Sequence, residues 1–176
     1  MIDLDPNQVH GLEWRQPGAF ARSFELRRGD ALLGTLKFTK TFGSLAEGRT
    51  SRAAWSFKRN GFFSTNATAR VLGTEQDIAV YQPNWTGSKG MLTLAGGERL
   101  ILKNTSFWGG DWGWYTESDN PLVLFKSRGV FHHGSDISVE EPARRRPDLP
   151  LLLLFGWYVL VLHQEDSAAT AVVITG

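Results

Sequence analysis

Two groups of cations are the first residues with chemistry to offer. Lys58 and Arg59 sit beside an Asn-Gly pair, and Arg144, Arg145 and Arg146 stand together before an apolar run. Basic side chains near a surface attract anionic lipid head groups, at about 1 kcal/mol per residue. These five residues are the candidate lipid-binding set. A plainer reading competes with that one. Glu140, Glu141 and Asp148 flank the arginines and weaken their field, which would make them a solvated linker.

Aromatic residues offer a second kind of chemistry. In "SFWGGDWGWY", Trp108, Trp112 and Trp114 share a parity if the chain is extended, and Trp85 lies in "PNWTG". An open tryptophan platform stacks on sugar rings or settles at a lipid interface. The competing expectation is that these rings line the interior, as large aromatics usually do. His132 and His133 are adjacent and so point to opposite faces of a strand; with Asp136 nearby they still lack a third ligand, and no metal site is expected. His163 could interact with a helix dipole. Asp77, Asp111, Glu117 and Asp119 are available carboxylates that spacing alone does not pair. The chain contains no G-x-S-x-G elbow, P-loop or dinucleotide fingerprint, so no catalytic residue and no cofactor is assigned. "NATA" at 66–69 and "RGD" at 28–30 read as a chance glycosylation pattern and a turn.

Bulk properties limit the classes. At 176 residues the chain is long enough for one domain with a sizeable core. A net charge of +1, from 19 basic and 18 acidic residues, argues against a nucleic-acid binder. With no cysteine, disulfides and thiolate chemistry are excluded. The N-terminus "MIDLDPNQVH" lacks the apolar segment of a signal peptide, giving the expectation of a cytoplasmic protein with residues 1–11 disordered.

The elements that must position these residues follow from periodicity. Strand patterns occupy residues 12–16, 19–28, 31–39, 50–59, 62–71, 76–82, 89–95, 98–104, 111–116, 121–126 and 136–140, with a last one at 171–175. Asn60-Gly61 predicts a type I′ hairpin, and Gly96-Gly97 and Gly29-Asp30 fit tight turns. Alternation places Trp55 with Phe57 on one face, and Leu32, Gly34, Leu36 and Phe38 on another. Ala67, Ala69 and Val71 form a face of small residues that leaves room inside. Arg22 shares a face with Phe24 and Leu26 and would need a partner if buried.

"LPLLLLFGWYVLVL", residues 149–162, decides the architecture. As a helix its 14 residues span roughly 21 Å, short of a hydrocarbon core of about 30 Å. Asp148 and Pro150 suit a helix start. Such a helix has no polar face, so either lipid or protein must surround it. The strands around it predict a closed antiparallel β-barrel of about 12 strands, wide enough to need a filler, with residues 149–164 as its central helix.

The order of these segments resembles the tubby C-terminal-like superfamily, which includes phospholipid scramblases and LURP-one-related proteins. "FELRRGDALLGTLKF" resembles its early hairpin and "AAWSFKRNGFF" the middle one. "DIAVYQPNWTGSKGMLTLAGGERLILK" resembles the following meander, which "SFWGGDWGWYTESDNPLVLF" continues, and "LPLLLLFGWYVLVL" resembles the central helix. The likeness covers roughly residues 12 to 165 and rests on hydrophobicity and turn patterns. It implies a twelve-stranded barrel around a buried helix. It transfers no site residue, because neither a phosphoinositide-binding signature nor a calcium-binding segment is present. The expected function is a non-enzymatic binding or scaffold module, peripheral to membranes and meeting anionic phospholipid or a protein partner. A carbohydrate-binding module, an enzyme and a membrane-inserted helix are the alternatives.

Overall fold

A helix that is apolar on every side has to be enclosed on every side. In the computed structural model, which describes residues 1–18, 22–40, 43–61, 66–106, 110–128 and 134–175, a β-barrel encloses it. The strands are β1 (Leu12–Arg15), β2 (Ser23–Arg28), β3 (Ala31–Phe38), β4 (Ala46–Thr50), β5 (Ala54–Asn60) and β6 (Asn66–Val71). They continue as β7 (Asp77–Pro83), β8 (Lys89–Leu94), β9 (Arg99–Asn104), β10 (Trp112–Thr116), β11 (Pro121–Ser127) and β12 (Gly134–Val139). Each pairs antiparallel with its neighbours in sequence, and β1 closes the ring on β12 with Leu12 opposite Ile137. A short helix, α1 (Glu141–Arg144), leads to α2 (Leu149–Thr175).

Inside the barrel α2 is buried from Leu151 to Leu162. Each fully buried leucine or phenylalanine contributes about 1.5–3 kcal/mol, so this enclosure outweighs any surface interaction in the molecule. The helix lies closest to β3 and β4. Glycine makes that approach feasible: a Cβ on Gly48 would stand 2.9 Å from Leu154 Cδ2 and 2.6 Å from the Phe57 ring. On another side Trp114, fully buried, donates its indole N–H to the Leu152 carbonyl at 2.9 Å. Gly156 permits it, since a Cβ there would lie 2.6 Å from Trp114 Nε1. Trp14 stacks on Trp157 with centroids 5.8 Å apart, and Phe57 packs on Phe155 and Tyr158.

Several expectations change in detail. Residues 171–175 continue the helix instead of forming a strand. Extension adds one hydrogen bond per residue fixed, and no glycine or proline interrupts the chain from His163 to Thr175. The twelfth strand is β4, in a segment without a strand pattern, and Thr50 ends it rather than beginning β5. On β3 a bulge sets Arg27 opposite Leu32 and sends Leu33, not Leu32, into the core. Val71 ends β6 and is exposed. Asn60 pairs with Asn66, so the β5–β6 connection is longer than a two-residue type I′ turn. The turn at Gly29-Asp30, by contrast, is two residues long, between the paired Arg28 and Ala31. Residues 1–11, expected to be disordered, lie against the barrel. Ile2 N–H donates to the Leu32 carbonyl at 2.9 Å, Asp3 pairs with Arg52, and Val9 is buried.

In an exposed helix Gly→Ala is stabilising by about 1 kcal/mol. Gly156→Ala reverses the sign here, because its methyl meets Trp114 and Phe125. A loss of about 1–3 kcal/mol in urea-unfolding free energy is expected, with the unfolding slope unchanged.

Candidate functional site

Where α2 leaves the barrel, the apolar floor gives way to polar residues and a groove of about 440 Å³ opens. That volume falls within the range of small-molecule sites. Val159, Leu160 and Leu162 form its helix side, and Ala67, Tyr81 and Trp112 come from the barrel wall. His163, Asp166, Ser167 and Thr170 continue along the emerging helix, and Arg59 stands at the lip. The turn between β7 and β8 forms the remaining edge.

That turn is cross-braced by its own side-chain hydrogen bonds. Asn84 Nδ2 donates to Thr86 Oγ1 at 2.7 Å and its Oδ1 accepts from Lys89 N–H, while Thr86 and Ser88 hydroxyls meet at 2.8 Å. Gly87, at φ +71°, passes over His163: a Cβ there would lie 3.3 Å from Cε1. This frame holds the Trp85 indole 97% exposed.

Two arginines clamp the helix exit. Arg22 grips Glu165 through Nε and a second guanidinium nitrogen at 2.8 and 2.7 Å, donates to the Lys40 and Gly43 carbonyls, and lies 4.0 Å over the Phe38 ring. These contacts supply the partner its place among apolar residues demanded. Arg59 pairs with Asp166 at 2.6 Å. The Tyr158 hydroxyl, buried and held protonated well above its usual range by desolvation, donates to the Ser44 carbonyl at 2.7 Å.

The candidate cations fall at opposite ends of the barrel. Lys58 and Arg59 belong to the helix-exit rim. Arg144, Arg145 and Arg146 precede the helix entrance, about 25 Å away along α2 at 1.5 Å per residue. Arg146 is committed to Glu98 and Asp148 at 2.7 and 2.8 Å, and those bonds raise its pKa while lowering that of Glu98. Asp148 thus serves Arg146 with its carboxylate, while its carbonyl accepts Leu152 N–H. Arg144 pairs with Glu141 at 2.9 Å. Lys58 and Arg145 are exposed, without a carboxylate partner among the described residues.

The tryptophan platform does not form. Trp112 and Trp114 are buried, Trp108 lies outside the described residues, and among the described tryptophans Trp85 alone is open. The four carboxylates are also spent: Asp77 on Arg70, Glu117 on Arg99, Asp119 on Lys103, and Asp111 on the Ser127 N–H. His132 and His133 lie outside the described residues, and Asp136 pairs with Arg128. Among the described residues no three histidine or acidic side chains converge on a metal position. Nor, among them, is any helix long and apolar enough to cross a membrane.

His163, Asp166 and Ser167 have the residue types of a hydrolytic triad, yet their bonds are otherwise engaged. Ser167 Oγ donates to the His163 backbone carbonyl at 2.9 Å, and Asp166 serves Arg59. The His163 ring instead packs edge-on against Trp112, with centroids 4.9 Å apart. Tyr81 is buried, its hydroxyl kept protonated by desolvation, and it has no hydrogen-bond partner among the described residues. Sequence reasoning missed this groove, because its members come from four strands, a turn and the helix. Arg59, Trp85, Trp112 and His163 were each legible as candidates, but nothing in their order along the chain brought them together. Comparison with family models, curated proteins and solved structures finds no match to the chain.

Burial lowers the His163 pKa below its ordinary 6.5, with Asp166 opposing only in part. The unfolded imidazole therefore takes up its proton first as pH falls. The stability that neutral His163 contributes is complete above about pH 6.5 and lost on acidification through the folded-state pKa. His163→Asn is expected to flatten that part of a melting-temperature profile taken between about pH 7.5 and 5. An unchanged slope would contradict it.

Proposed function

We propose that the chain is a non-enzymatic binding module that meets anionic membrane surfaces with its helix-exit rim. One observation carries this reading: Trp85 stands 97% exposed on a braced turn at the helix-exit rim. Tryptophan favours the membrane–water interface, where its apolar ring and N–H are both accommodated. Lys58, exposed and next to Arg59, adds long-range attraction to anionic head groups. The resemblance to the tubby-like superfamily, some members of which act at membranes, supports the same direction. A flat bilayer that touches this rim does not reach Arg144, Arg145 and Arg146, so those residues belong to the helix entrance and not to the membrane contact.

Flotation with neutral and anionic vesicles tests the proposal. Binding is expected only with anionic vesicles and is expected to fall at high salt, since exposed charges are screened within about 8–10 Å. Trp85→Ala should weaken it about tenfold, whereas neutralising the three arginines should leave it within about twofold. Absence of binding, or loss through the arginines with Trp85→Ala unaffected, would overturn the assignment.

A further inference from the structure

The helix-exit groove has a composition that a membrane contact alone does not use. Its floor is apolar, from Val159, Leu160 and Trp112. Its charges cancel within the protein, as Arg59 and Asp166 pair at 2.6 Å. Two polar groups are left over. The Tyr81 hydroxyl belongs to a residue only 5% exposed, lines the groove and has no hydrogen-bond partner among the described residues. The His163 ring, half-buried against Trp112, likewise has no hydrogen-bond partner among them. Neither is among the buried polar atoms that lack a partner, so both remain open to the groove, where a ligand can reach them. Above the opening, Trp85 offers a free aromatic face.

We propose that this groove binds one small uncharged molecule carrying a flat ring and a single hydrogen-bonding group. The ring lies on the apolar floor and stacks against Trp85, and the polar group meets Tyr81 or His163. A neutral ligand fits because Arg59 and Asp166 neutralise each other, which leaves the lining no net charge to attract an ion. The volume of about 440 Å³ admits a two- or three-ring molecule. This inference does not rest on membrane binding, and the two can fail separately.

The probe is N-phenyl-1-naphthylamine, which is neutral, flat, carries one N–H and fluoresces in apolar surroundings. It is titrated into the full chain without vesicles. Saturable binding to one site per chain is expected. Trp85→Ala should weaken it about fivefold, and Tyr81→Phe about two- to tenfold. Ser167→Trp, on the exposed helix face, should block the groove while leaving the melting temperature in place; Thr170→Trp serves the same purpose if that variant does not fold. The anionic relative 8-anilinonaphthalene-1-sulfonate should bind at least about tenfold more weakly, since its charge would be desolvated in an apolar groove whose one arginine is already paired. Failure of the neutral probe to bind, its retention in both tryptophan-filled variants, or equal affinity for the sulfonate would each overturn the proposal. Probe binding by a chain that ignores vesicles would sustain it and remove the membrane reading instead.

Discussion

The absence of a polar face on residues 149–162 is the constraint from which the remaining structure follows. Such a segment is stable only where every side is covered, and a single sheet or a pair of helices covers too little. A ring of twelve strands covers all of it and also removes the open edges that a sheet of this length would expose. Barrel and helix therefore depend on each other. Without the helix, a ring of this size has a lumen its own side chains cannot fill. Without the ring, the helix would present Leu, Phe and Val to water at about 1.5–3 kcal/mol each.

Local features are read most simply as adjustments to that mutual fit. Gly48 clears space for Phe57 and Leu154, and Gly156 lets the Trp114 indole reach a helix carbonyl. The helix ends need another solution, because polar residues resume there. At the entrance Arg146 joins Glu98 to Asp148; at the exit Arg22 and Arg59 hold Glu165 and Asp166. These pairs are partly exposed, and each contributes at most about 1 kcal/mol. Their role is positional: they mark where the enclosed segment begins and ends, and they fix the register of helix to barrel.

The same geometry explains where a site can exist. Inside the barrel the helix is packed among buried apolar side chains from Leu151 to Leu162. The helix runs closest to β3 and β4 beside Gly34 and Gly48, at the level of Leu154, and the groove opens further along, at the exit, between the helix and Ala67, Tyr81 and Trp112. Its lining includes titratable residues, yet they are turned to structural tasks, Asp166 toward Arg59 and Ser167 toward the helix backbone.

Much of this was legible in one dimension. Period-two alternation located eleven of the strands, because inward and outward residues of a barrel wall meet opposite environments. A 14-residue apolar run, too short for a bilayer, located the central helix. β4 was illegible for a reason the structure supplies. Its inward residues, Ala46 and Gly48, are small because the helix passes closest there, so the apolar signal of a strand is erased by its own tertiary partner. The extension of α2 through residues 171–175 was hidden similarly, since β-branched residues read as a strand until the preceding helix propagates into them. For the groove, sequence supplied some of the types: a tryptophan between turn residues, a histidine at the end of the apolar run and a basic side chain beside a hairpin. Which of the tryptophans stay open, and which cations are already neutralised, depends on neighbours distant along the chain. Amino-acid order thus determined the barrel and its filling, because burial is written in local periodicity. Tertiary structure alone decided the site, because exposure and pairing are properties of contacts between segments and not of the segments themselves.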